Sequence, residues 1–245
     1  MKYGIINHAA VACREEASHK SEQINQLLFG DLYSVTEEST DWIKVKADYD
    51  GYEGWIHRKH HSEIAATPKE FKLLSETKTD VTLDLLGIVT NKDDGTTTSI
   101  AIGSSLRNAS FRYKGKKAKQ KRANIFKYAH LYLNAPYLWG GKTPFGIDCS
   151  GFMQMAHKLV GIKLPRDSWQ QALEGKAVKD LSAAKKGDLC FFGDGEKVTH
   201  VGMLLSKNTI IHASGKVRID GIDEQGIFPE ESGKYTHKLK SIRRI

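Results

Sequence analysis

Cysteine is scarce in this chain of 245 residues, and its three cysteines lie far apart. Cys13, Cys149 and Cys190 have neither the even number of a disulfide framework nor the close pairing of a metal-ligand motif. No apolar run approaches the roughly 18 residues that a membrane-spanning helix needs. The first residues do not have the pattern of a secretory signal peptide. The sequence leaves the compartment open between the cytoplasm and the cell envelope, and the free thiols favour a reducing setting.

The composition is that of an ordinary soluble globular protein except for an excess of positive charge. The formal net charge is +8 and the isoelectric point is near 9.2, which is typical of proteins with acidic partners such as nucleic acid, an anionic membrane or an acidic polymer. Much of the excess lies in "RYKGKKAKQKR", residues 112–122. A run of this kind is more often a solvated linker, and with Tyr113 as its one aromatic residue it is a poor platform for stacking bases. We therefore expect no nucleic-acid partner.

Hydrophobic patterning divides the chain into three parts. Residues 1–64 contain short segments that alternate apolar and polar residues, with turns such as "DYDG" between them, which predicts a small β-barrel. Residues 65–120 predict more β-structure, and we interpret them as a second, degenerate barrel. Residues 121–245 begin with helical spacing over "KRANIFKYAHLYLNA" and "CSGFMQMAHKLV", then continue with strand-like segments. Helices followed by a run of strands indicate an α+β domain.

Cys149 lies between an acid and a serine in "FGIDCSGFMQMAHKLVG", where a loop gives way to a helix. One interpretation is a small buried thiol, as most free cysteines are. The other is a nucleophile, because the unpaired N–H groups and the dipole of a helix N-terminus favour an anion and should lower the thiol pKa. A nucleophilic thiol also needs a base.

Two histidines in "THVGMLLSKNTIIHAS" could supply that base. His200 and His212 are symmetric about Ser206, so a hairpin centred there would place them directly opposite each other, close enough for a hydrogen bond between the rings. One imidazole could then take the thiol proton while the other orients it. Either histidine alone is more often a partly exposed strand residue, and only the combination with Cys149 favours catalysis.

The motifs "PYLWGG", "DCSGF", "LPRDSWQQ", "GDLCFF", "HVGMLL" and "IIHAS" follow one another along residues 121–214. In this order they resemble the NlpC-type cysteine peptidases of bacterial cell-wall metabolism. The N-terminal part, with Trp42 and Trp55 in "DWIKVK" and "GYEGWIH", resembles bacterial SH3-like domains. The resemblance implies an α+β protein whose papain-like catalytic domain follows one or two small SH3-like β-barrels. The implied domains are 1–64, 65–120 and 121–245.

The resemblance also implies an activity. The chain looks like a gamma-D-glutamyl-L-diamino acid endopeptidase of the peptide-recycling type, whose partners are murein-derived peptides. Cys149 would be the nucleophile, His200 the general base and His212 the orienting third member. Tyr137 would lie beside the nucleophile and help to stabilise the oxyanion, and Trp139 would form a wall of the pocket, although a tryptophan in such a loop is more often core packing.

Four further residues match substrate-contacting positions or are candidates for them. Asp148 suits a helix N-cap, but its charge beside a thiolate is unfavourable, and the resemblance implies that it binds the free N-terminal ammonium of the substrate. Ser150 and Ser168 could bind substrate or cap a helix. Glu53 is the candidate acid from the barrel, although exposed glutamates are usually only solvated.

No metal or organic cofactor is expected. His57, His60 and His61 in "HRKHH" resemble a metal-prone cluster, but no carboxylate or thiol completes it, and we interpret them as exposed. The alternatives to the peptidase are an acyltransferase or amidase on the same plan, a non-catalytic murein-binding protein that uses its SH3-like domains, and, third, a nucleic-acid-binding protein. The Cys-His-His order argues against the acyltransferases, and the intact set of three residues argues against a purely binding role. The sequence does not choose between meso-diaminopimelate and L-lysine, and it does not determine the oligomeric state.

Overall fold

The computed structural model describes residues 2–245, which form two units. The N-terminal unit contains the residues up to Lys119 together with Trp139–Pro144, and the C-terminal unit contains Gln120–Leu138 and Phe145–Ile245. Among the described residues, no helix is long and apolar enough to cross a membrane.

The first part of the N-terminal unit is a seven-stranded antiparallel sheet with the strand order β3-β2-β6-β5-β4-β1-β7. Alternating side chains point inward, as the period of two predicts, and form a core around Val11, Leu27, Tyr33, Val45 and Ile56. The strands are β1 (Lys2–Ile5), β2 (Ala10–Arg14), β3 (Gln23–Leu28), β4 (Leu32–Glu38), β5 (Trp42–Ala47), β6 (Glu53–His57) and β7 (Glu63–Ile64).

Residues 65–120, for which a second barrel is predicted, contain one helix and a three-stranded antiparallel sheet. Helix α1 (Pro68–Glu76) begins with Thr67 and Glu70 in a capping box, and proline occupies its first turn, where the missing N–H costs nothing. The sheet has the order β10-β8-β9 and consists of β8 (Leu86–Asn91), β9 (Thr97–Ala101) and β10 (Phe111–Tyr113). Its buried residues pack on Phe29, so this segment shares a core with the seven-stranded sheet. The two-residue strand β11 (Lys142–Thr143) completes the unit.

The helices of the C-terminal unit are shorter than the segments that the sequence predicts to be helical. The segment predicted as a helix over residues 121–135 has a 3-10 turn at Arg122–Asn124 and helix α2 (Ile125–His130). After α2 the backbone N–H groups of residues 131–133 bond three residues back, which tightens the chain into turns before Asn134 takes a positive φ of 66°. Helices α3 (Cys149–Lys158) and α4 (Ser168–Gln171) follow the short strand β12 (Gly146–Ile147).

The C-terminal sheet has the strand order β13-β19-β14-β15-β16-β17-β18, and β18 also pairs with β19. Six of the strands therefore form a closed ring, to which β13 is attached. Helix α3 packs on β15 and β16, and every one of its residues is buried. The strands are β13 (Lys176–Val178), β14 (Leu189–Phe192), β15 (His200–Leu204), β16 (Thr209–Ser214), β17 (Lys216–Ile222), β18 (Gly226–Phe228) and β19 (His237–Arg244).

Candidate active site

Cys149 is the first residue of α3, as the sequence predicts. Asp148 is the N-cap, with an extended backbone (φ −91°, ψ 175°), and its carboxylate accepts a hydrogen bond of 2.7 Å from the N–H of Gly151. The thiol is 4% exposed, and the backbone N–H of Val201, on β15, is directed at its sulfur. The nucleophile candidate therefore lies next to the strand that carries His200.

The expectation of a lowered thiol pKa is wrong for this structure. Burial raises the pKa of Cys149 to about 12, and the negative charge of Asp148 acts in the same direction. The N–H groups of Val201 and Ser150 and the charge of Arg166 act against this rise but do not cancel it. The thiol is therefore protonated at neutral pH, and the reaction needs a base in contact with it.

Arg166, which the sequence analysis did not single out, is the counter-ion of Asp148. Its guanidinium donates to both carboxylate oxygens of Asp148, over 3.0 and 2.5 Å, and to the hydroxyl of Ser150 over 2.9 Å. Arg166 and Asp148 are both almost fully buried, with side-chain exposures of 1% and 5%. The charge of Asp148 is thus offset by the protein itself, and not only by a bound substrate cation as the sequence argument required. The arginine of "LPRDSWQQ" was visible in the sequence, but nothing local indicated its partner.

His200 and His212 form the expected contact with a different strand register. The predicted hairpin centre at Ser206 would have paired them directly, but Gly202 is the residue opposite His212. The loop runs over residues 206–208, since the N–H of Leu205 bonds to the carbonyl of Thr209. The two histidines are therefore diagonal neighbours on one face of the sheet, and Nε2 of His200 lies 2.8 Å from Nδ1 of His212.

Gly202 makes this diagonal contact possible. It lies two residues after His200 on the same face of β15 and directly opposite His212. A Cβ atom at Gly202 would lie 2.9 Å from the Cβ of His212 and 2.8 Å from the Cδ1 of Ile210. The missing side chain leaves the space in which the His212 ring leans towards His200.

Behind His212 lies Asp220, which the sequence analysis also missed. Nε2 of His212 is 2.8 Å from Oδ2 of Asp220, and the carboxylate is 5% exposed. Asp220 is on β17, one strand beyond β16, and its second partner is Arg218 on the same strand. The alternation of Arg218 and Asp220 in "KVRID" was the available signal, but none of the motifs that carry the family resemblance includes this segment.

His237, at the start of β19, covers the His200 ring. The two rings are stacked with centroids 4.0 Å apart and an interplanar angle of 27°. Burial holds the pKa of His200 well below its usual value, and the neighbouring His237 and His212 add to this effect. Burial also lowers the pKa of His237 to about 4. Both imidazoles are therefore neutral at pH 7 and able to accept a proton.

Tyr137 lies beside the nucleophile candidate. Burial raises the pKa of its phenol, and the nearby Cys149 and Asp148 raise it further, so the hydroxyl keeps its proton at neutral pH. A cavity of about 280 Å³ is lined by Tyr137, His200, Ser214, Gly215 and His237. This cavity gives a substrate access to the base candidate.

The remaining predicted residues are placed as follows. Ser150 is buried in the first turn of α3, bonded to Arg166 and Asp148, and Ser168 is the buried first residue of α4, after its N-cap Asp167. Neither serine is itself an N-cap. Trp139 is 56% exposed and belongs to the N-terminal unit. Glu53, at the start of β6 in the same unit, is exposed and lies 3.4 Å from Lys46.

The histidines of "HRKHH" are half-buried, which corrects the interpretation that they are exposed. Nδ1 of His61 lies 2.8 Å from the hydroxyl of Tyr33, and Nδ1 of His57 accepts the N–H of Lys59 at the 3-10 turn. Within residues 2–245, no group of three or more histidine, cysteine or acidic side chains has metal-binding geometry.

Comparison with known proteins assigns the two parts of the chain to families. Residues 134–233 match the NlpC/P60 family, and residues 9–62 match the bacterial SH3 domain. Over 211 residues, the chain is 30% identical to a gamma-D-glutamyl-L-lysine dipeptidyl-peptidase of Bacillus subtilis (strain 168), an alignment covering 77% of this chain and 71% of that protein. The chain belongs to the NlpC/P60 family. It is a cysteine endopeptidase, as the resemblance of its motifs implied.

A second curated protein and a solved structure also align with most of this chain. A dipeptidyl-peptidase 6 of Lysinibacillus sphaericus is 28% identical over 241 residues, or 84% of this chain and 86% of that protein. The crystal structure of an NlpC/P60 family protein from Bacillus cereus ATCC 10987 superposes with a TM-score of 0.77 at 20% identity, covering 99% of both chains. The predicted α+β fold with an N-terminal SH3-like domain is thereby confirmed.

Proposed function

We propose that this peptidase cleaves the bond between gamma-D-glutamate and an L-diamino acid in short murein stem peptides that carry a free N-terminal L-alanine. The hydrogen bond between His200 and His212, beside the helix start at Cys149, supports the chemistry of this proposal. The printed name of the Bacillus subtilis relative, a gamma-D-glutamyl-L-lysine dipeptidyl-peptidase, supports the choice of bond.

In the proposed reaction, Cys149 is the nucleophile and His200 is the general base. The thiol proton passes to His200 as the sulfur attacks the side-chain carbonyl of D-glutamate, because the thiol pKa near 12 leaves almost no thiolate beforehand. The imidazolium then protonates the leaving amine of the diamino acid, and the C–N bond breaks to leave an acyl-enzyme. Water, deprotonated by His200, hydrolyses the thioester and releases L-Ala-D-Glu. His212 orients the His200 ring throughout.

Tyr137 and the backbone N–H of Cys149 are the proposed donors to the oxyanion. A phenol whose pKa is raised by burial and by nearby negative charge remains a hydrogen-bond donor across the neutral range. One such donor typically contributes about 2.7–4 kcal/mol to stabilisation of the transition state. Tyr137→Phe should therefore lower kcat by roughly 100-fold or more, with a smaller effect on KM.

Asp148 is the proposed partner of the substrate ammonium, with Ser150 and Ser168 as neighbouring contacts. Arg166 already occupies one side of the carboxylate, so the ammonium would be a second cation on Asp148. Because the charge of Asp148 raises the pKa of Cys149, a cation bound there would lower that pKa again. The free amine is therefore expected to increase kcat as well as binding.

The test measures hydrolysis of L-Ala-gamma-D-Glu-L-Lys and its meso-diaminopimelate counterpart, each beside the N-acetylated peptide. We expect the wild type to cleave the free-amine peptides at the gamma-glutamyl bond and the acetylated forms at least tenfold more slowly. Cys149→Ala and His200→Ala should abolish cleavage while keeping the near-UV spectrum of the folded chain.

Each alternative outcome has a distinct meaning. Equal cleavage of the free and acetylated peptides would refute the ammonium contact at Asp148 but keep the nucleophile. Activity retained in Cys149→Ala or His200→Ala would refute the proposed reaction itself. Cleavage at a different bond would refute the proposed substrate class.

A further inference from the structure

Asp220 ends a row of hydrogen-bonded side chains that begins at His200. Its Oδ2 atom is 2.8 Å from Nε2 of His212, and Nδ1 of His212 is 2.8 Å from Nε2 of His200. All three side chains are buried, so water does not compete for these contacts. The row runs from β15 through β16 to β17, three neighbouring strands of the sheet.

The carboxylate at one end determines where the hydrogens of the row lie. An ionised carboxylate can only accept, so the hydrogen between Asp220 and His212 belongs to Nε2 of His212. A neutral imidazole carries one N–H, which leaves Nδ1 of His212 as an acceptor. The hydrogen between the rings therefore belongs to Nε2 of His200. Nδ1 of His200 then holds the lone pair, and this is the nitrogen that can take a proton from a thiol.

Asp220 is itself held in its ionised form. Burial raises the pKa of Asp220, but the bonds to His212 and Arg218 outweigh burial, and the net shift is downward. Nη2 of Arg218 donates to Oδ1 of Asp220 over 2.8 Å, and its Nη1 donates to Glu231 over 2.6 Å. The guanidinium thus fixes the carboxylate and balances its charge, which would otherwise favour a proton on the histidines.

We propose that Asp220 is a positioning residue of the active site: through His212 it sets the tautomer of His200, and Arg218 holds its carboxylate in place. This inference rests on the proposed role of His200 as the base. The other ionisable group that faces the row is His237 on β19, which stacks on His200. The sulfur of Cys149, at the start of α3, accepts from the backbone N–H of Val201, the residue after His200.

Asp220→Asn is the first test, because it keeps the shape of the side chain. Arg218 can only donate, so it should hold the amide oxygen and turn the amide N–H₂ towards His212. The hydrogens of the row would then reverse, and Nδ1 of His200 would carry the proton. In the serine protease triad, a wrong tautomer of the catalytic histidine costs about 10⁴ in kcat. Here the effect passes through one more imidazole, so we expect a loss of at least about 100-fold, with KM changed less than about threefold.

The double variant Asp220→Asn with Arg218→Met separates positioning from a structural effect. Without the guanidinium, the amide can rotate and present its oxygen to His212, so activity should rise at least about fivefold above that of Asp220→Asn alone. If Asp220 only stabilised the fold, the second substitution would lower activity further.

Nitrogen NMR of histidine-labelled full-length protein gives a readout besides activity. Nδ1 of His200 should have the chemical shift of an unprotonated nitrogen in the wild type and of a protonated nitrogen in Asp220→Asn. An unchanged tautomer, or full activity of this variant, would overturn the inference.

Arg218→Met is the second test and does not alter Asp220. The uncompensated carboxylate should favour the protonated form of His200. On acidification, activity should therefore be lost at a higher pH than in the wild type, with the acidic limb of kcat/KM moved up by at least about half a pH unit. Lys216→Met is the matched control, because Lys216 lies on the same strand but donates to Asn134 and not to Asp220. This variant should leave the acidic limb unchanged. An unmoved limb in Arg218→Met would count against the inference. Full activity in His200→Ala would instead refute the proposed function itself.

Discussion

Substituting Arg166 by methionine should destabilise the C-terminal unit strongly. The change leaves the buried carboxylate of Asp148 without the guanidinium that now donates to both of its oxygens. Removing one partner of a buried ion pair costs about 3–5 kcal/mol, since the remaining charge is neither solvated nor paired. At roughly 3–5 °C per kcal/mol for a unit of this size, the unfolding midpoint should fall by about 9–25 °C.

The assay is differential scanning calorimetry of the full chain, with near-UV circular dichroism to follow tertiary structure. Lys216→Met is the matched control, since it replaces an exposed cation by the same side chain, and its midpoint should move by no more than a few degrees. Adding Asp148→Asn to Arg166→Met removes the unpaired charge and should recover part of the loss. A midpoint within about 3 °C of the wild type in Arg166→Met, or a double variant less stable than the single one, would refute the reasoning.

Two further predictions concern the reactive groups. The alkylation rate of Cys149 by iodoacetamide, assigned by mass spectrometry, should rise about tenfold per pH unit from pH 7 to 9 without a plateau. The reason is that a thiol pKa near 12 keeps the thiolate scarce over this range. A plateau near pH 6–7 would instead indicate a preformed thiolate–imidazolium pair. Gly202→Ala places a Cβ 2.9 Å from that of His212 and should lower kcat by at least about tenfold, with the fold kept, and unchanged kinetics would contradict the geometry given for the histidine contact.

Local sequence patterns were sufficient for the helix and the two strands that carry part of the site. The helix at Cys149 follows from an N-cap aspartate and a periodic apolar run, and α3 indeed begins at that cysteine. The strand segments that carry His200 and His212 were recognised from their residue types, and both histidines were placed on one face. These features depend on neighbours along the chain, which a sequence shows directly.

Only the tertiary structure decided the register and the charges around the site. A hairpin centred on Ser206 and one with its loop at residues 206–208 differ by two residues in the pairing, and packing of the buried faces, not residue type, selects between them. The partners Arg166 of Asp148 and Asp220 of His212 are set by folding, because burial removes water and forces each charge to find another group. For the same reason burial outweighs the helix terminus and raises the pKa of Cys149. The sequence alone therefore determined the helix start at Cys149 and the strands that carry His200 and His212. The three-dimensional packing determined their charged partners and protonation states, because solvation is a property of the fold.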